Sequence, residues 1–333
     1  MATVVLGIES SCDDTAAAIL VDGRLASSVV SSQAVHEQYG GVVPELASRD
    51  HQRLIVPIVD AAMKKAQVAI TDVDAVAVTY GPGLAGSLLV GLSFAKALAA
   101  ARNVPLLGVN HLEGHIYSVF LEETQPPIPH VNLTVSGGHT QLIVVDKGFK
   151  HNILGKTRDD AAGEAFDKVA KLMGLGFPGG PHIDRLASEG NPEFVRFPRS
   201  RPDKFSFSFS GIKTSMLYHL ADQDDRENHL REHLNDLCAS FQRAVVDVLA
   251  GAVTDAVAET GIPHVTITGG VSANRELSER VRADGRRLGF DVYIPRPAFC
   301  TDNAAMIAKA GEMKWHAGFE SPLSLTVIPN LVL

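Results

Sequence analysis

At 333 residues, with 45% hydrophobic and 20% charged side chains, the chain can build two α/β domains with sizeable cores and is too apolar to be disordered throughout. A formal net charge of −8 excludes a surface that grips nucleic acid everywhere and leaves only local basic patches for that purpose. The three cysteines, Cys12, Cys238 and Cys300, are odd in number and far apart, which excludes a disulfide framework or a CxxC site and fits a reducing compartment.

Met1 leads into the strand-like VVLGI with no charged region, apolar core or cleavage site of a signal peptide. TAAAILV follows, then the Asp22-Gly23 turn signal and RLASSVVSSQ, an antiparallel meander. PELASRDHQRLIVPIVDAAMKKA (44–66) has helical periodicity with proline at its start, where proline is tolerated. DAVAVTYGPG reads as a strand ending in a glycine turn, LAGSLLVGLSFAKALAAAR as a helix packed on it, PLLGVNH as a strand and HLEGHIYSVFLEE as the next helix, weakened by Gly114. The apolar stretch 88–101 contains Lys96 and is read as too short to span a bilayer, so a soluble cytoplasmic protein without membrane attachment is expected.

QPPIPH (125–130) is a boundary signal, and after it the pattern restarts. HVNLTVSGGHTQLIVVDKG repeats the style of TVVLGIESSCDDTAAAILVDG, and HVTITGGVSANRELSERV echoes DAVAVTYGPGLAGSLLVGLSFAKALA. The two halves thus share one order, hairpin strands first and strand-turn-helix later, which implies two similar α/β lobes with a ligand cleft between them. The expected division is residues 1–124, completed by 303–333, and residues 130–302.

Three glycine pairs, in SGGHT (136–140), PGG (178–180) and TGGVSAN (268–274), lie in the second half beside strand ends or helix starts. Backbone N–H groups at such turns cradle anions, which points to a nucleotide-like ligand. Neither GxxxxGK[ST] nor a GxGxxG after the first strand occurs, which excludes a P-loop or dinucleotide fold. In HLEGH, His111 and His115 share a helix face at i and i+4 spacing. Alone, that spacing reads more readily as two surface histidines than as a ligand pair, because a pair needs a third partner. It is not a zinc-protease motif: Leu112 stands where the catalytic glutamate would be, and Glu113 points off the histidine face.

GIESSCDDT (7–15), GGVVPELASRDH (40–51), GPGLAGSLLVG (81–91), HLEGH, VSGGHTQL (135–142), DDAAGEAFDK (159–168), PGGP (178–181), FSFSGIKT (207–214), GGVSANR (269–275) and CTDNAAMIA (300–308) together resemble the TsaD family, in order and over nearly the whole chain. That resemblance implies two actin-like lobes of the ASKHA, ribonuclease H-like superfold. It implies transfer of threonylcarbamoyl from threonylcarbamoyl-AMP to N6 of adenosine 37 in tRNAs reading ANN codons, giving t6A with AMP as leaving group. It adds Asp302 as a third metal ligand with His111 and His115, the metal joining the two lobes. One ion per subunit is implied, Fe(2+) or alternatively Zn(2+), with Mg(2+) as an option alongside the nucleotide.

The resemblance further implies that Thr134, Val135, Ser136, Gly137, Gly138, Asp167, Gly180, Asp184 and Asn274 contact the adenylate. Asn274 reads equally as a helix cap. Asp13, just after the first strand, is expected in a catalytic or phosphate-positioning role. Asp14 stands where the family often has Glu, which leaves its role open. The basic stretches 196–204 and 274–287 read by themselves as solvated surface. An acidic protein would then need help to hold the tRNA anticodon stem-loop, and the resemblance implies a TsaB-like paralogue of the same fold and a TsaE-like P-loop ATPase; no DNA partner is expected. The helix 44–66 is a candidate contact for the paralogue. A sugar kinase or other transferase on the same superfold, or a non-catalytic scaffold, are the rival readings.

Overall fold

The computed structural model describes residues 2–33 and 42–333. Gly40 and Gly41 of the GGVVPELASRDH motif lie outside the described residues. The chain divides into two compact units, Met1–Gln125 with Pro295–Leu333, and Pro126–Ile294.

In the first unit, β1 (Val4–Glu9), β2 (Asp14–Val21) and β3 (Arg24–Ser32) form the expected meander, turning at Asp22-Gly23, both of which have positive φ. The helix α1 (Pro44–Ala66) follows, with Pro44 in its first turn. Then come β4 (Ala75–Gly81), α2 (Ala85–Arg102), β5 (Leu106–Asn110) and α3 (His111–Tyr117). The sheet order is β3-β2-β1-β4-β5, antiparallel through the meander and parallel from β1 onward. β1 is buried along its whole length, so it reads as an unbroken apolar run rather than an alternating one.

α2 has 18 residues and a mean hydropathy of 1.2, long and apolar enough to cross a membrane by length and composition, where the reading of 88–101 as too short took a narrower segment. Its buried residues Leu92, Ala95 and Ala99 belong to this unit's core with Ile55 and Val59 of α1, which makes it a layer helix of the α/β fold.

The second unit repeats the topology. It runs β6 (His130–Val135), β7 (Thr140–Asp146), β8 (Lys150–Lys156), α4 (Ala162–Leu172), α5 (Gly179–Ala187), α6 (Ser210–Ala221), α7 (Arg226–Thr260), β9 (His264–Thr268), α8 (Arg275–Leu288) and β10 (Asp291–Tyr293). Its sheet, read from the meander inward, is β8-β7-β6-β9-β10, strand for strand the order of the first. α7 also meets the length and hydropathy of a span, but 78% of that window is buried as the central helix of this core.

The last helix, α9 (Ala304–His316), belongs to the first unit and packs against β1 and α3. The return to this unit begins at Pro295, so Asp302 lies in the same unit as His111 and His115. The expectation of a metal joining two lobes is therefore corrected: the three residues meet within one unit, because the segment preceding α9 folds back with it.

Candidate functional site

HLEGH forms α3, which follows β5 directly. Asn110 caps it, its Oδ1 accepting from the Leu112 N–H at 2.8 Å, while Glu113 reaches back to the Asn110 N–H. Glu113 also accepts from Lys314 Nζ of α9 at 2.8 Å. The glutamate that a protease would need is thus occupied as a cap and an ion pair. Gly114 has a packing reason: a Cβ there would come 2.7 Å from Ile307 Cδ1, so any larger residue would make the Ile307 side chain of α9 shift. The approach of α3 to α9 brings His115 to the residue just before α9. Asn303 caps α9 by accepting from the Met306 N–H at 2.9 Å, and Asp302 precedes it.

His115 Nε2 lies 3.2 Å and His111 Nε2 3.5 Å from Asp302 Oδ1. The ligand atoms of the three residues all fall within 4.8 Å of one another. A fourth residue, not singled out in the sequence, completes the arrangement. Glu9, at the buried end of β1, stands 3.1 Å from His111 Nδ1 through Oε2. Its Oε2 also accepts from Thr79 Oγ at 2.7 Å, and its Oε1 from the Ser11 N–H at 2.5 Å. A carboxylate facing Nδ1 keeps a proton there, so Nε2, on the Asp302 side, is the nitrogen that would give up its proton to a metal, the tautomer a ligand needs. The signal was present as the glutamate of GIESS, but a single acid at a strand end carries no recognisable spacing.

Burial disfavours an imidazolium at His111, yet the carboxylates of Asp302 and Glu9 outweigh it and raise its pKa well above 6.5. Burial likewise opposes ionisation of Asp302, and His111 and His115 more than offset it, holding that carboxyl well below the usual range. The set is strongly polarised, with two imidazoles converging on one carboxylate. Two nitrogens and one oxygen without a thiolate fit Fe(II) or Zn(II). The group is buried except at Asp302, which is 29% exposed at its side chain and leaves a face open.

Asp13 lies in the turn after β1 and Asp14 opens β2, both half-buried. Burial raises Asp14 to about 6, against a hydrogen bond from Ser32 and with the nearby carboxylates of Asp302, Asp13 and Glu9 adding to the rise. Burial also pushes the Cys12 thiol far up, which makes it inert as a nucleophile.

In the second unit, Thr134 and Val135 end β6 with no exposed surface, and they lead directly into the turn that follows. Ser136, Gly137 and Gly138 form the turn between β6 and β7. The turn is closed by Ser136 N–H to His139 O at 2.8 Å and by His139 N–H to Ser136 Oγ at 3.1 Å. A Cβ at Gly137, Gly138 or Gly180 would meet nothing within 4 Å. At Gly163, the start of α4, it would fall 2.6 Å from Ser136 O, so this glycine seats α4 against the turn. Sequence reasoning missed it, since it sits inside a helical run.

Asp167 of α4 accepts from the Gly179 N–H at 2.7 Å, tying α4 to the start of α5 that carries Gly180. Burial raises its pKa against that hydrogen bond. Asp184 is held by Arg275, with Nε 2.8 Å from its Oδ2 and a second nitrogen 2.9 Å from its carbonyl. Both residues line a cavity of about 310 Å³ with Gln242, Arg243 and Glu276. Asn274 is the N-cap of α8, accepting from the Leu277 N–H at 2.9 Å, and its amide donates to Gln242 Oε1 at 2.6 Å. Its side chain is thereby engaged on both atoms.

The basic stretches are largely neutralised. Arg199 pairs with Asp247, Arg201 with Asp255 and Lys204 with Glu259, all acids of α7. Arg280 pairs with Asp247 and Asp284, and Arg287 with Asp284.

Residues 24–309 match the family profile described as TsaD: tRNA N6-adenosine threonylcarbamoyltransferase. The chain is 62% identical over 333 residues to a protein of that name from Salinibacter ruber, covering 99% of this chain and all of the relative. It is 48% identical over 315 residues to one from Christiangramia forsetii, covering 93% of each. Among solved structures it resembles full-length HypF in a phosphate- and nucleotide-bound form, at 15% identity and TM-score 0.60, over 94% of this chain and 46% of that one. It also resembles the activator of 2-hydroxyisocaproyl-CoA dehydratase from Clostridium difficile with bound ADPNP, at 16% identity and TM-score 0.53, over 97% and 99%. These two likenesses place the fold among the actin-like ATPases.

Proposed function

This chain belongs to the TsaD family of tRNA N6-adenosine threonylcarbamoyltransferases, and we propose that it makes t6A by a metal-assisted acyl-type transfer from threonylcarbamoyl-AMP to adenosine 37 of ANN-reading tRNAs. The observation that carries the metal-assisted part is the convergence of His111, His115 and Asp302, with Glu9 fixing the tautomer of His111. A divalent ion held there, Fe(2+) or Zn(2+), supplies a Lewis acid that makes a carbonyl more electrophilic.

In the reaction, the N6 amine attacks the carbamoyl carbon, the bond from that carbon to the AMP phosphate oxygen breaks, and AMP departs with both bonding electrons. The proton lost from the amine needs an acceptor, and the Asp13 carboxylate, partly open in the turn after β1, takes that role. Asp14 is the weaker choice, because it opens β2 and its carboxylate is engaged by a hydrogen bond from Ser32 of β3.

The adenylate is held by the second unit. The backbone N–H groups of Gly137 and Gly138, with open space at both glycines, are the donors the turn has for the phosphate, which supports this placement. Asp167 and Asp184 accept from ribose hydroxyls; Asn274, occupied as a cap, contributes by shaping the start of α8. Any Mg(2+) would accompany the nucleotide phosphate.

Because the basic stretches are paired with acids of their own unit, tRNA binding depends on partners. These are a TsaB-like paralogue and a TsaE-like P-loop ATPase in the cytoplasm. Val56 on α1 and Leu89 on α2, 61% and 51% exposed, support the α1 face as the docking surface for the paralogue.

The test is to combine the protein with those partners, pre-made threonylcarbamoyl-AMP and an unmodified tRNA anticodon stem-loop, and to look for t6A by mass spectrometry. Folded protein and competent partners that yield no t6A would sink the proposal, and ATP-dependent phosphorylation of a sugar would replace it with a kinase.

A further inference from the structure

The turn that carries Asp13 is held at both ends. At its start, the Ser11 N–H donates to Glu9 and Ser11 Oγ lies 3.1 Å from His111 Nδ1. The Ser11 carbonyl accepts from the Leu84 N–H at 2.7 Å, and a Cβ at Gly83 would lie 2.4 Å from that carbonyl oxygen. At its far end stands His51 of α1, with no exposed surface. His51 Nε2 is 2.9 Å from the Cys12 carbonyl oxygen. A carbonyl can only accept, so Nε2 carries the proton. Nδ1 then has the lone pair and accepts from Thr15 Oγ at 2.8 Å. Both ring nitrogens are spent on the residues that flank Asp13 and Asp14.

Core packing alone does not call for an imidazole here. The other buried residues of α1 are Ala47, Ile55, Val59, Ala62 and Met63, all apolar. A buried polar ring persists only where its hydrogen bonds are worth its desolvation. Burial holds the His51 pKa below 6.5, so the neutral form that this bonding requires is the one present.

We infer that His51 is the positioning residue for Asp13: it fixes the backbone from Cys12 to Thr15 so that the Asp13 carboxylate stands where the attacking amine loses its proton. This rests on the reading of Asp13 as the base.

The experiment measures kcat, and KM for threonylcarbamoyl-AMP, in t6A formation with the partners present. The variants are His51→Met, His51→Gln, Thr15→Val, Asp13→Asn and the double variant Asp13→Asn/His51→Met. Glutamine can still donate to the Cys12 carbonyl from near the Nε2 position, and methionine cannot. His51→Met should lower kcat by about tenfold to a hundredfold, the cost of a misplaced catalytic group, while KM stays within about twofold. His51→Gln should keep most of the activity. The double variant should be no slower than Asp13→Asn alone, because two residues acting as one unit are not additive.

Losses that multiply in the double variant would overturn the inference, as would a lowered melting temperature with unchanged kcat. Asp13→Asn at wild-type kcat would bring down the reading of Asp13 itself, and the inference with it. A slow Asp13→Asn beside an unaffected His51→Met would overturn the inference alone. If the methionine variant does not fold, Thr15→Val and His51→Gln decide: a fall in kcat with Thr15→Val and its retention with His51→Gln is expected, and the reverse refutes it.

Discussion

Replacing Glu9 with glutamine should weaken metal binding while leaving the fold in place. The wild-type carboxylate accepts three hydrogen bonds, from the Ser11 N–H, Thr79 Oγ and His111 Nδ1. Glutamine has the same shape but presents one oxygen and one NH₂. The Ser11 N–H is fixed as a donor, so the amide oxygen must face it, and the NH₂ then faces Thr79 and His111. Thr79 can rotate its hydroxyl to accept. His111 can accept only by moving its proton from Nδ1 to Nε2, the nitrogen that faces Asp302. The variant therefore favours the tautomer that cannot ligate.

Loss of such a supporting partner typically costs 10- to 100-fold in metal affinity, about 1.4 to 2.7 kcal/mol. The assay is competition for Fe(II) or Zn(II) against a chromophoric chelator, with near-UV circular dichroism to show native packing. An affinity within about twofold of wild type, in a folded variant, would refute the claim that Glu9 sets the ligand tautomer of His111.

Two further outcomes follow from the second unit. His130 is fully buried, its Nδ1–H donating to the Pro127 carbonyl at 3.0 Å, and burial depresses its pKa from 6.5 to about 4. The unfolded chain therefore binds this proton first, so stability is intact above pH 6.5 and falls as the pH drops toward 4, by about 3 kcal/mol when integrated over that window. Urea melts of wild type and His130→Gln between these limits should show the slope shrink in the variant, and an unchanged slope would count against it. At Gly163, alanine would place its Cβ 2.6 Å from Ser136 O and push α4 off the turn. Overpacking of this kind costs about 1–3 kcal/mol. Gly163→Ala should lose adenylate affinity by calorimetry, and unchanged affinity would separate this turn from the nucleotide.

Elements whose pattern is local were legible in the chain. The apolar period and Pro44 give α1 from Pro44 to Ala66, and Asp22-Gly23 gives the β2–β3 turn. The repeated order of strand and helix signals foreshadowed the shared sheet topology. What escaped depends on contacts between distant segments. Glu9 and His51 are isolated residues whose meaning lies in His111, Cys12 and Thr15, reached only through the fold. Asp302 was tied to the wrong unit because nothing local announces that the chain returns at Pro295. The helix opening at HLEGH ends at Tyr117 and tightens into a 3₁₀ turn over Ser118–Leu121, short of the expected Glu123. Asn274, which reads in sequence as either cap or ligand, is a cap, and its amide is spent on Gln242, 32 residues away.

The central claim is that His111 and His115 hold a metal that t6A formation requires. The most direct measurement compares wild type with the His111→Ala/His115→Ala variant for bound metal and for t6A on an anticodon stem-loop, with the partners and pre-made threonylcarbamoyl-AMP supplied. The account predicts metal and t6A with wild type and neither with a variant whose circular dichroism remains native. A folded, metal-free variant that still makes t6A at the wild-type rate would contradict it.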